Sequence, residues 1–154
     1  MKSLRYSINN ILEKILIFLM GILVIDVLWQ VFSRYLLSSP SSFTDEMAGF
    51  LLIWVGLLGS AWVSGRNEHL AIDLLIQKSR PARQKFLNKL ISLLIMFFAI
   101  TVLIVGGGWL TYTRYALNVR SAALDLPLGF VYLVLPISGF LILFFSVSDL
   151  FERS

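Results

Sequence analysis

The sequence predicts an all-α, polytopic membrane protein that forms one membrane domain over residues 1–154. Hydrophobic residues make up 58% of the chain and charged residues 14%, whereas a soluble domain usually carries about a quarter charged residues. Four apolar stretches lie at about 11–37, 47–63, 90–110 and 126–147. Each is long enough to cross about 30 Å of hydrocarbon at about 1.5 Å per residue.

The first stretch resembles a signal peptide in one respect, because Lys2 and Arg5 precede it. However, its apolar run extends beyond the roughly 7–15 residues of a signal core, and no small-residue cleavage site follows. We therefore expect it to be retained as the first transmembrane helix.

The placement of the basic residues predicts the orientation of the chain. Three of the 13 lysines and arginines, Arg34, Arg114 and Arg120, fall on the side that holds the first and third connections. The other ten precede the first span, lie between the second and third, or follow the fourth. The positive-inside rule therefore predicts that both termini lie in the cytoplasm. The net charge of +4 is explained by this asymmetry, and we expect no nucleic-acid partner.

The segment between the second and third spans carries most of these charges. From Pro81 onward its pattern is that of an amphipathic helix lying on, or entering the membrane from, the cytoplasmic surface, with a basic face toward lipid headgroups or another protein. His69 and Asp73 are four residues apart and would share a helix face. A metal pair there is conceivable, but the chain has one histidine and no cysteine to complete it. We expect a hydrogen-bonded turn at the membrane surface, and no metal or cofactor.

The connection before the second span is short and polar. Ser42 or Thr44 is expected to cap the helix, which places Asp45 and Glu46 at the positive end of its dipole. Two interpretations stay open: capping combined with an ion pair to Arg34, or an acidic rim that faces a periplasmic partner.

Asp26 lies near the middle of the first span, where a carboxylate costs roughly 2.5–3.5 kcal/mol on insertion scales. It is expected to face protein, either as a structural group bonded to a neighbour such as Gln30 or as an ion-coupling site. Gly56, Ser60 and Ser64 form a small-residue stripe on the second span, which favours close helix packing. Pro136 is expected to kink the fourth span.

Catalytic signatures are missing from the sequence. It contains no Gly-rich phosphate loop, nucleophile elbow, paired carboxylates or HExxH motif. The sequence therefore favours a component without enzymatic activity.

Three segments in order carry a family resemblance. They are Phe43-Thr44-Asp45-Glu46-Met47-Ala48 before Trp54, the run from Gly59 through Arg66, Glu68, His69 and Asp73, and Ser121-Ala122-Ala123-Leu124-Asp125-Leu126-Pro127 before Pro136. Together with the size and the four spans, they make the chain resemble the small, DctQ-like membrane subunit of tripartite ATP-independent periplasmic (TRAP) transporters.

The resemblance implies a bacterial inner-membrane protein with an accessory role in sodium-coupled uptake of an organic acid, such as sialic acid or a C4-dicarboxylate. The partners it implies are a large permease subunit, which holds the substrate and sodium sites, and a periplasmic binding protein, which delivers the substrate. The candidate interface with the large subunit comprises Asp26, Gln30, Gly56, Ser60 and Ser64. The candidate docking rim comprises Arg34, Asp45, Glu46, Arg114, Arg120 and Asp125. The cytoplasmic family motif comprises Arg66, Glu68, His69 and Asp73.

Two other classes are alternatives. A self-contained four-helix transporter or exporter would work as a homodimer around Asp26. An electron-transfer subunit would need haem ligands, which a single histidine cannot supply within one chain.

Overall fold

The computed structural model describes residues 2–36, 41–66 and 81–153. It has α1 (Lys2–Leu36), α2 (Ser42–Arg66), α3 (Pro81–Phe98), a π-helical segment (Ala99–Gly106), α4 (Gly107–Ala116), α5 (Leu128–Tyr132) and α6 (Val134–Arg153). Four helical stretches are long and apolar enough to cross a membrane: Ser3–Leu36, Ser42–Arg66, Lys89–Ala116 and Leu128–Asp149. The predicted all-α, four-span class is confirmed.

The spans run antiparallel to their neighbours in sequence. At one end of the molecule Arg5 of α1 contacts Gly65 of α2 and Asp149 of α6. At the other end Gln30 contacts Asp45, and Glu46 contacts the connection between α4 and α5. We call the first end the terminal end, because α1 begins and α6 ends there, and the second the loop end.

The four spans form an open row. α1 packs mainly against α2, α2 against α6, and α6 against α3 and the π-helical segment. One apolar cluster joins Leu12, Leu58, Val134 and Phe145 across α1, α2 and α6. A second joins Ala61 of α2 with the third span and α6. The fourth span is consequently the most buried and the first the least.

The inward side of α1 repeats every seven residues. Arg5, Leu12, Asp26 and Ser33 are buried, whereas most of the other large apolar side chains of α1 are exposed. A heptad repeat is the pattern of a helix that packs along one partner. The rest of the α1 surface is available to lipid or to another protein.

The start of α2 differs from expectation by one residue. Ser41, rather than Ser42 or Thr44, is the cap, because its hydroxyl accepts the Thr44 N–H at 3.4 Å. The Thr44 hydroxyl donates back to the Ser41 carbonyl at 3.0 Å. Asp45 therefore lies in the first helical turn, where its negative charge is favourable.

The fourth span is interrupted at Leu133, between α5 and α6. Pro136 has no N–H to donate to the Tyr132 carbonyl one turn earlier, which explains the break. The Thr111 hydroxyl of α4 lies 3.1 Å from that carbonyl and 2.7 Å from the Gly107 carbonyl, so its single proton is shared between the two. A neighbouring helix therefore compensates in part for the predicted irregularity at Pro136.

The basic segment before the third span is partly outside the described residues. From Pro81 the chain is helical and continues into the third span without a break. Residues 67–80, which include Glu68, His69 and Asp73, lie outside the described part of the chain. The surface position of the segment stays a prediction.

Candidate functional site

The loop end is built around the Glu46 side chain. Its carboxylate accepts the backbone N–H groups of Ala122, Ala123 and Leu124 at 3.0, 2.9 and 2.9 Å. The Ser121 hydroxyl donates to it as well. A carboxylate has only acceptor sites, so it matches a set of converging donors that no neutral side chain could satisfy as fully. Glu46 therefore ties the α2 start to the connection between α4 and α5.

That connection, residues 117–127, has its own internal bonds, and we call it the outer loop. Ser121 N–H donates to the Leu126 carbonyl at 2.9 Å, and Leu128 N–H donates to the Val119 carbonyl at 2.9 Å. Asn118 and Asp125 adopt φ of 49° and 51°, a left-handed conformation that asparagine and aspartate tolerate better than most residues. The outer loop is thus a defined turn.

The charged groups of the predicted docking rim lie at the loop end, and they differ in exposure and in hydrogen-bond partners. Arg120 pairs with Asp125 at 2.9 Å, and both side chains are exposed. Gln30 donates to Asp45 at 2.6 Å, which joins α1 to α2. Arg34 is exposed, and Arg114 is partly buried with its Nε lacking a partner among the described residues.

The terminal end contains a second polar cluster. The Arg5 guanidinium donates to the Gly65 carbonyl at 2.9 Å, forms an ion pair with Asp149, and lies 6.0 Å from the centre of the Phe145 ring. The side chains of Arg5 and Asp149 are only 11% and 12% exposed. A Cβ on Gly65 would lie 2.9 Å from Phe145 and closer still to Asn9, so a larger residue there would force these side chains to move. We call these contacts the Arg5 clasp.

The predicted interface residues divide into two groups. Asp26 and Ser64 are buried within the chain's own packing, and Gln30 is half-buried. Gly56 and Ser60 are exposed, and a Cβ on Gly56 would meet no atom within 4 Å. The small-residue stripe therefore turns from an open face of α2 toward the interior of the row.

Asp26 does not pair with Gln30 as expected. The Gln30 amide donates to Asp45 instead, and the buried Oδ2 atom of Asp26 has no hydrogen-bond partner within residues 2–36, 41–66 and 81–153.

Of the cytoplasmic motif, the described part contains Arg66, whose guanidinium lies 4.8 Å above the Trp62 ring.

The described residues contain no group of three or more acidic or histidine side chains that could hold a metal ion. The arrangement provides helix contacts, a structured loop and charged surfaces. Fold and polar groups therefore define a class: a small polytopic membrane protein with a structured, charged loop at one end.

Comparison with known proteins identifies the family of this chain. Residues 23–154 match the DctQ component of tripartite ATP-independent periplasmic transporters. The chain belongs to this family, whose members are transporter components and not enzymes. The predicted resemblance is confirmed.

Three relatives illustrate the relationship. A protein of Haemophilus influenzae named as a TRAP transporter small permease is 30% identical over 92% of this chain and 86% of its own length. The sialic acid TRAP transporter small permease SiaQ of Vibrio cholerae is 34% identical over 87% and 81%. The sialic acid TRAP transporter permease SiaT of Haemophilus influenzae is 27% identical over 75% of this chain but only 18% of its own length.

Sequence reasoning missed two features of the site. The Arg5 clasp was not predicted, because Arg5 counted only as an orienting charge and Asp149 had no assigned role. The aspartate in the last span, at the end that holds the basic N-terminus, was the available signal. The bonds from Glu46 to the outer loop could not be predicted either, because backbone donors far along the chain leave no pattern in the sequence.

Proposed function

We propose that this chain is the accessory membrane subunit of a sodium-coupled TRAP transporter that imports an organic acid delivered by a periplasmic binding protein. Its role is to anchor and widen the scaffold of the large permease subunit and to help seat the binding protein. The named relatives belong to sialic acid transporters and to a C4-dicarboxylate transporter, so both substrate classes are included in the proposal. Sodium coupling follows from the family resemblance.

The main observation that supports this proposal is the open row formed by the four spans. α1 is packed along one side only and exposes apolar side chains such as Ile17, Phe18 and Ile25. A row presents more apolar area to lipid and to a partner than a closed bundle of the same helices would. This is the shape expected of a fixed part that resists movement while a neighbouring domain crosses the bilayer.

The large permease is the proposed stable partner. SiaT, a permease much longer than this chain, contains a region similar to it in 18% of its length. That similarity supports assembly of a chain of this kind with a large permease.

The exposed face of α2 is the proposed seam. Gly56 and Ser60 leave room for a partner helix, and small residues favour close approach in membranes. Asp26, Gln30 and Ser64 lie in or near the α1–α2 packing and would support this face from within. Arg34, Asp45, Glu46, Arg114, Arg120 and Asp125 belong to the proposed docking rim at the loop end.

The terminal end is proposed to face the cytoplasm of a bacterial inner membrane. It holds both chain ends and Arg66. By the positive-inside rule, the excess of lysine and arginine at this end favours retention in the cytoplasm. A fluorescent fusion at Ser154 that folds only in the cytoplasm should fluoresce, and the opposite result would contradict this orientation.

Co-purification tests the partnership. When the affinity-tagged chain is co-expressed with the large permease of its own transporter, the two should elute together in mild detergent. Gly56→Leu should reduce the recovered permease several-fold, because the new side chain fills the proposed seam. Gly21→Leu, at an equally open glycine of α1, is the matched control and should have little effect. Equal recovery with both variants would exclude the α2 face as the seam.

The homodimeric alternative makes a different prediction. It is favoured by one observation, the unpartnered and buried Oδ2 of Asp26 within the described residues. It requires that the purified chain alone moves substrate and that Asp26→Asn abolishes this activity. Our proposal requires that the chain alone moves none.

A further inference from the structure

The contact between Glu46 and the outer loop joins parts of the chain that are far apart in sequence. Three consecutive backbone N–H groups, from Ala122 to Leu124, converge on one carboxylate. Successive N–H groups that point to one spot form an anion-binding concavity. Here the anion is supplied by Glu46, one residue beyond the first turn of α2 in the same chain.

The other end of the outer loop is held independently. Ser121 and Leu126 bond to each other through the Ser121 N–H and, at 3.3 Å, through the Ser121 hydroxyl as acceptor. Arg120 and Pro127 form an antiparallel bridge. These bonds close the turn on itself, whereas Glu46 fixes where the turn sits relative to α2.

The concavity is poorly suited to be a site for the transported acid. Glu46 competes for it as a tethered group, and a short tether corresponds to an effective concentration on the order of millimolar. A free organic acid at lower concentration would not displace it. The role that fits is positional.

The outer loop presents a charged pair to the exterior. The side chains of Arg120 and Asp125 are 49% and 76% exposed, so they are available to a soluble protein while paired with each other. The position of this pair relative to α2 therefore depends on the bonds from Glu46 to the outer loop.

We propose that Glu46 is a positioning residue for docking: it holds the outer loop so that Arg120 and Asp125 meet the periplasmic binding protein, without itself contacting that protein. This rests on the docking role under the proposed function. Within the docking rim, Arg120 and Asp125 contact the binding protein in this proposal, whereas Glu46 acts by holding them in position.

The test uses the intact complex of this chain with its large permease in lipid nanodiscs. The transporter's own binding protein, labelled with a fluorophore, is titrated against wild type, Glu46→Gln and Glu13→Gln. Glu46→Gln replaces one acceptor oxygen by an NH₂ donor facing the loop amides, so binding should weaken at least about tenfold. Glu13→Gln makes the same chemical change in α1, far from the outer loop, and should bind like wild type.

Hydrogen exchange on the same samples distinguishes positioning from general damage. In Glu46→Gln the amides of Ala122, Ala123 and Leu124 should exchange faster, while the yield of the complex stays unchanged. Glu46→Asp keeps the charge but is one methylene shorter, so it should also weaken binding if position is what matters. Full binding by Glu46→Asp with faster amide exchange would contradict the proposal.

Two outcomes separate this inference from the function on which it rests. If wild type binds and Glu46→Gln binds equally well, positioning by Glu46 is excluded while docking at this complex stands. If the wild-type complex does not bind the protein at all, the docking role is excluded and the positioning role with it.

Discussion

Three glycines mark the closest approaches between the third and fourth spans. A Cβ on Gly107 would lie 2.5 Å from the Leu135 Cβ, and one on Gly139 would lie 2.8 Å from the side chains of Leu103 and Ile104. One on Gly129 would lie 3.0 Å from the Tyr115 Cβ. These positions need glycine for space and not for its backbone freedom, since none of the three glycines has a positive φ. The close packing of the third span against the fourth therefore depends on the absence of side chains at these three positions.

Gly107→Ala is expected to destabilise the chain by about 1–3 kcal/mol, because overpacking a tight contact forces helices apart. Gly108→Ala is the matched control, since a Cβ at Gly108 would meet no atom within 4 Å. Thermal unfolding in detergent, followed by circular dichroism, should show a lower midpoint for the first variant only. Equal midpoints would show that the two spans pack less closely there.

At the residue scale, sequence reasoning identified which polar residues mattered better than it identified their partners. Glu46 was expected at the positive end of a helix dipole, but it lies just beyond the first turn of α2, and its main bonds go to residues 122–124. Gln30 was expected beside Asp26 and bonds to Asp45 instead. Charge and helix position are local properties of the sequence, whereas partners depend on how distant helices align.

At the scale of elements, the Arg5 clasp joins three helices through one side chain. Arg5 reaches the Gly65 carbonyl at the end of α2 and Asp149 in α6, while Gly65 leaves space for Asn9 and Phe145. The carbonyls at a helix C-terminus lack partners within the helix, so an arginine is well placed to satisfy one. The clasp therefore fixes the register of α1 against the row.

Arg5→Ala should cost about 3 kcal/mol or more, because it leaves Asp149 buried without its partner. Arg5→Lys keeps the charge but cannot bond Gly65 and Asp149 through a planar fork, so it should cost less. The double variant Arg5→Ala with Asp149→Ala should be less destabilised than the two single losses added together. Strict additivity in a thermal or denaturant series would contradict a direct ion pair.

The span boundaries were predictable to within a few residues in most places, because apolar runs and turn residues define them. The first helix begins earlier than expected, at Lys2 rather than about residue 11, and the third continues to Ala116 rather than about residue 110. Polar residues at both ends extend these helices beyond the apolar cores. The π-helical segment Ala99–Gly106 could not be predicted, since its apolar run, rich in β-branched residues, carries no signal that distinguishes a π-helix from an α-helix.

At the scale of the molecule, hydropathy predicts four spans but not how they are arranged. The spans pack in the order α1, α2, α6 and then the third span. This order depends on which helix faces carry small residues and glycines. Hydropathy cannot identify those faces, because many faces of the four spans are similarly apolar. The row leaves α1 and one face of α2 open. This openness links the fold to the proposed role as an anchoring subunit.

The central claim is that this chain serves transport as one part of a three-component system. The direct test is uptake into proteoliposomes that contain the large permease with or without this chain, given the binding protein and an inward sodium gradient. Radiolabelled sialic acid and succinate are the two probes. We predict uptake of one of them with all components present, and its loss when this chain, the permease or the gradient is omitted. Undiminished uptake without this chain, or uptake by this chain alone, would contradict the account.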